Sequence, residues 1–276
     1  MIQPRVGHIN FLNILPLTYS YDNGYSAGLE LKYAVPSILN NDIKTGQLDI
    51  SHISSIEYAK QSAELLMLPD ICIRSDADVE SIVLVSKKPI NKITNDKIIM
   101  TAKSSTSHCL LKIIMSESYG AAPQYQIDHI GLNNLIPGNA TASLFIGDDA
   151  LHIYHNKPDN LYLYDLGREW HKLTGRSMVY AVWTVRRKFA EEFPDVVHFA
   201  YDKIMAGLRE GLKNKAAAIN SVIGQKDFSF DVLNNYLGSV IKWDLTDYHI
   251  QSLKLFYKMA YKLELIEHNP NIEFIR

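Results

Sequence analysis

His8, Asn10 and Asn13 sit in the stretch "GHINFLNILPLTY" (7–19), polar side chains among strongly apolar neighbours. The stretch begins like a buried strand over Arg5–Ile9 and breaks at Asn13, with Pro16 just beyond. A polar group beside a core destabilises unless something bonds to it. Asn is a favoured N-cap, so one account has Asn13 satisfied by its own helix. The other has its amide facing a cleft, where free helix N–H groups and the helix dipole attract anions. The two accounts are compatible. His8 and Asn10 read as satisfied polar residues near the turn, with His8 also the nearest candidate for a general base.

Hydroxyl groups recur at comparable places. Ser54 and Ser55 follow the strand-like "DISHI" (49–53), and Ser54 with Glu57 has capping-box spacing, so a helix is expected from Ser54. Thr106 and Ser107 follow a strand near Lys97–Thr101 and open a helix that should stop at Gly120, a usual residue just past a helix end. Gly147 and Asp148 follow a strand ending at Ile146; Asp148 reads as a helix cap, and both join the candidate substrate-binding positions. One hydroxyl at a helix start means little. Several at successive strand ends would make a ring of neutral donors suited to a carboxylate-bearing ligand. Ser81, inside the apolar "ESIVLVS" (80–86), reads on its own as a hydroxyl bonded to neighbouring backbone.

These positions require repeated strand–turn–helix units, and strands alternating with helices argue for parallel α/β sheets. Ligands of such sheets lie at the carboxyl ends of strands. Beyond about Arg187 the pattern is mostly helical: Pro194 can start a helix, and Ile250, Leu253, Phe256, Tyr257 and Ala260 mark the buried face of the last one. The runs 80–86 and 177–185 flank a central α/β block like two crossovers. Lobe I is therefore expected over 1–84 plus 181–276 and lobe II over 85–180, a two-lobed α/β fold of the type II periplasmic-binding-protein kind with its ligand between hinged lobes.

The bulk composition excludes several classes. The 276 residues are 47% hydrophobic and 21% charged, enough for a sizeable core. A net charge of −2 offers no basic stripe for nucleic acid and no polybasic membrane patch. No stretch approaches the ~18 apolar residues of a membrane helix, and without a signal-like start a cytoplasmic location is expected. Cys72 and Cys109 read as buried free thiols. His152 and His155 with Asp148 and Asp149 lack further ligands at metal spacing, so no metal is expected. GxSxG, P-loop and GxGxxG patterns are missing, which weakens hydrolase, nucleotidase and dinucleotide readings.

Taken together, "VGHINFLNILPLTY", "GQLDISHISSIEY", "VESIVLVSKKPI", "SSTSHCLL", "LFIGDDAL" and "YDLGREWHKLTGRSMVYAVW" resemble the chorismate dehydratases of the futalosine route to menaquinone. The segments fall in that family's order across roughly 5–185, and the first and last are the most specific. The resemblance implies a type II solute-binding fold, no cofactor, and conversion of chorismate to 3-[(1-carboxyvinyl)oxy]benzoate by loss of water. It places catalytic roles on Asn13 and Ser81, and substrate-binding hydroxyls on Thr106, Ser107 and the Ser54–Ser55 turn. It also implies that the substrate's own enolpyruvyl carboxylate removes the proton. Relatives often carry Pro before Ser where this chain has "SS", which leaves open which of the two serines faces substrate. Two other readings share the fold: a non-catalytic receptor for a small acid, and the sister enzyme making 1,4-dihydroxy-6-naphthoate, which by resemblance needs a second-lobe histidine base such as His152 or His155.

Overall fold

The computed structural model describes residues 2–102 and 104–275. Among the described residues eleven strands form two sheets. In chain order they are β1 Arg5–Ile9, β2 Glu30–Ala34, β3 Ile50–Ser54, β4 Leu65–Ser75, β5 Ile82–Ser86, β6 Lys97–Met100, β7 Gln124–Ile127, β8 Ala142–Ile146, β9 Tyr162–Asp165, β10 Met178–Arg186 and β11 Lys242–Leu245. The first sheet runs β11-β4-β10-β3-β1-β2 and the second β7-β6-β8-β5-β9.

The sheets are mixed, not parallel throughout as expected. β1 is parallel to β2 and β3, and β6 to β7 and β8. Three strands run the other way: β10 is antiparallel to β3 and β4, β11 to β4, and β5 to β8 and β9. β5 pairs with β8 along its whole length from Ile82, and β10 belongs to the first sheet from Met178. Sheet membership therefore changes within 76–81 and 166–177, a few residues outside 84/85 and 180/181, because a strand paired along its length cannot be divided between sheets.

The alternation in β5 shows how the sequence packs the second sheet. Ile82 and Leu84 face the main core, which is continuous with that of the first sheet, whereas Val83 and Val85 pack with Phe145, Ala150 and Ile153 on the opposite face. Such two-faced burial needs an unbroken β-branched and aliphatic run, because successive side chains point to opposite faces. The helices Ser105–Tyr119, Pro194–Lys213 and Asp247–Lys262 form as the apolar spacing requires. Gly120 closes the first of them in the left-handed conformation, φ 58°. Leu253, Phe256, Tyr257 and Ala260 are buried, whereas Ile250 is half-buried at the edge of that face. Cys72 and Cys109 are buried free thiols. No helix among the described residues is long and apolar enough to cross a membrane.

His8 and His52 lie side by side beneath β1, both buried. His52 Nε2 accepts the Ile9 N–H at 3.1 Å. Thr18 gives its own proton to the Ile14 carbonyl, so His8 Nε2–H donates to Thr18 Oγ1 at 2.8 Å. Burial lowers the His8 pKa from its ordinary 6.5 to about 3, and burial with the neighbouring His8 ring lowers His52 well below its usual range. Below pH 6.5 the unfolded chain binds protons that the folded chain refuses. Stability is then complete above about pH 6.5 and is lost as pH falls toward 3, by up to about 1.4 kcal/mol per unit for each histidine. Denaturant midpoints between pH 7 and 4 should show this fall, and His8→Gln, which can still donate an N–H to Thr18, should make it shallower.

Candidate functional site

A cavity between the sheets is lined by Phe11, Asn13, Ser54, Ser81, Ser104, Ser107, Gly147 and Tyr180, with apolar residues filling the rest of its wall. These side chains meet because of strand direction. The parallel strands β1, β3, β6 and β8 end on this edge, followed by Phe11–Asn13, Ser54, Ser104 and Gly147. The antiparallel strands begin there: Ile82 is opposite Ile146 and Ala181 opposite Ser54. Ser81 and Tyr180 therefore reach the same level from the other direction.

Asn13 does not cap the helix Leu15–Ser20, contrary to the simpler expectation. It lies in a single 3₁₀ turn, Leu12–Ile14, whose cap position is Phe11. Its main chain is held from both lobes. The Trp243 indole N–H donates to the Asn13 carbonyl at 3.0 Å, and the adjoining Leu12 N–H donates to Asp148 Oδ1 at 3.1 Å. Its side-chain oxygen is buried and has no hydrogen-bond partner. A buried acceptor left unbonded costs about 1–3 kcal/mol. Evolution of a stable core alone would remove it; a ligand with a donor would satisfy it.

Ser81 Oγ–H donates to the Val79 carbonyl at 3.2 Å and Ser81 Oγ accepts from the Tyr236 hydroxyl at 2.8 Å. The backbone bond expected for this serine is present, and the hydroxyl still faces the cavity. The Ser81 carbonyl takes the Gly147 N–H at 2.8 Å, tying the start of β5 to the start of the helix Gly147–His155. Gly147 has φ +67°, and a Cβ there would lie 3.2 Å from the Phe11 ring, so this position favours glycine twice over. Ser104, not Thr106 or Ser107, caps the helix Ser105–Tyr119: its hydroxyl accepts the Ser107 N–H and lies 3.1 Å from the Ser107 hydroxyl.

The structure places the two serines of the second turn differently. Ser54 stands at the cap position and lines the cavity, although its hydroxyl makes no cap bond and Glu57 pairs with Lys60 instead of completing a capping box. Its N–H and hydroxyl are held by Asn40. Ser55 lies behind the wall, where its hydroxyl donates to the Val179 carbonyl at 2.9 Å. Thr106 meets it there, accepting the Ile56 N–H at 3.2 Å and bonding Ser55 Oγ at 3.3 Å. Ser55 and Thr106 are thus spent on a bond between the lobes, the helix phase having turned both away from the cavity. Asp148 is likewise turned out. It holds Leu12 N–H and, at 2.8 Å, Lys226 Nζ, and it makes no cap bond to its own helix.

Among the described residues the lining carries no charged side chain. His8 is packed away beneath β1, His155 bonds Glu80 at 2.8 Å, and His152 faces the Phe228 ring. What the cavity offers is serine hydroxyls at helix starts, Asn13 with its unbonded amide oxygen, and apolar walls. Such a surface holds an anion by hydrogen bonds. Sequence reasoning missed Ser104 and Tyr236 as individual residues. The first carried a signal, a serine three before another hydroxyl at a helix start; the second, 155 positions from its partner Ser81, carried none.

Residues 4–262 match the family model described as menaquinone biosynthesis. A chorismate dehydratase of Campylobacter jejuni is 28% identical over 264 residues, 94% of this chain and 98% of the relative. Another, from Thermus thermophilus, is 30% identical over 175 residues, 58% of this chain and 63% of that one. Among solved structures, a protein of Archaeoglobus fulgidus superposes with TM-score 0.74 at 17% identity, covering 96% of this chain and 98% of its own. The periplasmic aliphatic sulphonate binding protein SsuA of Escherichia coli gives 0.67 at 14%, covering 98% and 90%. The two-lobed fold is therefore that of the periplasmic binding proteins.

The different duties of Asn13 and Thr106 separate in stability measurements. Asn13→Ala removes an unbonded buried acceptor and should leave the denaturant midpoint unchanged or raised. Thr106→Val, similar in shape, strands the buried Ile56 N–H and should destabilise by about 1–3 kcal/mol.

Proposed function

The chain belongs to the menaquinone biosynthesis family, and from that premise we propose that it is a chorismate dehydratase, a lyase that turns chorismate into 3-[(1-carboxyvinyl)oxy]benzoate and water. The observation that carries this reading is the bare Asn13 oxygen in a cavity otherwise rich in donors. Chorismate as a dianion has two carboxylates, which accept, and one hydroxyl, its sole donor. The serines and helix starts fit the carboxylates, and Asn13 Oδ1 fits the hydroxyl, which is the group that leaves.

The chemistry asks little else. The ring C–H beside the ether is vinylogous to the ring carboxylate, so its removal spreads charge onto that carboxylate. The substrate's enolpyruvyl carboxylate takes this proton in the proposed mechanism, in keeping with the absence of a carboxylate, imidazole or amine from the described lining. The electron pair then forms the ring double bond as the hydroxyl departs. The hydroxide collects the proton from the enolpyruvyl acid and leaves as water, and the ring becomes aromatic. The protein orients the side chain, accepts from the hydroxyl through Asn13, donates through Ser81 as it departs, and stabilises the spread charge. The sister enzyme would use a histidine base, and neither His152 nor His155 lines the cavity.

Size adds a condition. The cavity is about 60 Å³, space for about two waters at ~30 Å³ each and far below the roughly 300–1,000 Å³ of ordinary ligand pockets. Substrate must be admitted by separation of the lobes, which breaks the Ser55–Thr106 and Leu12–Asp148 bonds, and closure then excludes water.

Incubation with chorismate should give a product lighter by one water in mass spectrometry. Ser81→Ala should lower kcat by about 10²–10³, the usual effect of losing one donor to developing charge, and Asn13→Ala should lower it too, by removing the acceptor that orients the leaving hydroxyl; near-normal turnover in both would overturn the assignment. Linking the lobes through Ser55→Cys with Thr106→Cys should abolish turnover when oxidised and restore it on reduction. An oxidised protein that still turns over at full rate would show that admission needs no opening.

A further inference from the structure

We propose that Tyr236 is a positioning residue for the reaction, fixing through its hydroxyl the direction in which Ser81 donates. The inference rests on the reading of Ser81 as a catalytic hydroxyl. Tyr236 begins the irregular turn 236–240 before β11, on the first-sheet side, and its ring is buried at 1% exposure. Its O–H donates to Ser81 Oγ at 2.8 Å.

A serine oxygen has two acceptor sites and one proton. Tyr236 occupies one acceptor site, so the Ser81 proton cannot point back toward the ring. Two directions remain: the Val79 carbonyl, where it rests at 3.2 Å, and the cavity. Burial and the nearby carboxylates of Asp148, Glu80 and Asp165 hold the Tyr236 phenol above its usual pKa range, the bond to Ser81 working against them. The phenol thus stays protonated and is a constant donor at any working pH. Donation into the serine oxygen also polarises its O–H, which strengthens the bond to a departing hydroxide.

A buried tyrosine hydroxyl needs a partner in any case, so burial alone would not single out Tyr236. The pairing is informative because its partner faces the cavity and already has another acceptor for its proton. Tyr236 also comes from the C-terminal part of the chain, so this bond ties the start of β5 to a segment 155 positions away.

Tyr236→Phe removes one hydroxyl and strands no buried donor, since Ser81 keeps the Val79 carbonyl. We expect folded protein with kcat lower on the order of tenfold and KM for chorismate changed less than about twofold. In a Ser81→Ala background the same change should have no further effect, because the two residues act as one unit. A Tyr236→Phe rate within twofold of the parent, or an equal loss in both backgrounds, would overturn the proposal. Normal turnover by Ser81→Ala alone would instead overturn the role of Ser81 on which it rests.

Discussion

The reversed entry of β5 and β10 between neighbours that run parallel to one another is the constraint on which the site depends. A parallel sheet delivers only strand ends to its carboxyl edge. The two crossover-flanking strands deliver strand beginnings to that same edge, and the pairings Ile82 with Ile146 and Ala181 with Ser54 set their level. A one-residue slip in either register would exchange the faces of every side chain beyond it. It would put Val83 or Val85 against the main core and carry Ser81 off the cavity. The alternation that buries β5 on both sides therefore also places the hydroxyl of Ser81 at the cavity.

On the proposed function, the described lining would hold a dianion with neutral groups alone. A buried lysine or arginine would need its own desolvation compensated and would pin a carboxylate tightly in every state. Neutral N–H and O–H groups at helix starts are already part of the fold, and they serve as well when charge moves from one oxygen to another. Arg74, just before the first crossover, illustrates the alternative. Arg74 is buried, but it is consumed by Asp244 and Asp76, so its charge supports β4 and β11 and stays out of the cavity.

The sequence revealed the units better than their phases. Strand ends, the helix stop at Gly120, the Pro194 start and the buried thiols follow from apolar spacing and turn chemistry, which are local. The mixed sheet order was hidden because a fully buried strand reads alike whichever way it runs. Which hydroxyl of a pair faces the ligand turns on where a helix begins to within one residue, and Ser54 was separated from Ser55 only by tertiary bonds to Asn40 and Val179. Asn13 looked like a cap because Asn before Pro-containing helices often is one; its distinguishing property, a missing partner, exists only once everything around it is placed. Asp148 looked like a cap for the same local reason and is instead claimed by Leu12, 136 positions away.

That long-range bond leads to the energetics of the site. The Asn13 turn is held at its main chain by Asp148 from the second lobe and by Trp243 from the first, Ser81 is steadied by Tyr236, and Ser55 meets Thr106. Each neutral bond is worth about 0.5–1.5 kcal/mol net, and the Asp148–Lys226 pair is partly exposed, with the lysine 45% accessible, and so contributes about 1 kcal/mol or less. These polar bonds act alongside an apolar core that runs continuously from one sheet to the other. The same bonds also orient the reacting groups. Closing and positioning are then a single event, and on the proposed function a ligand that donates to Asn13 Oδ1, a buried acceptor with no partner of its own, stabilises both.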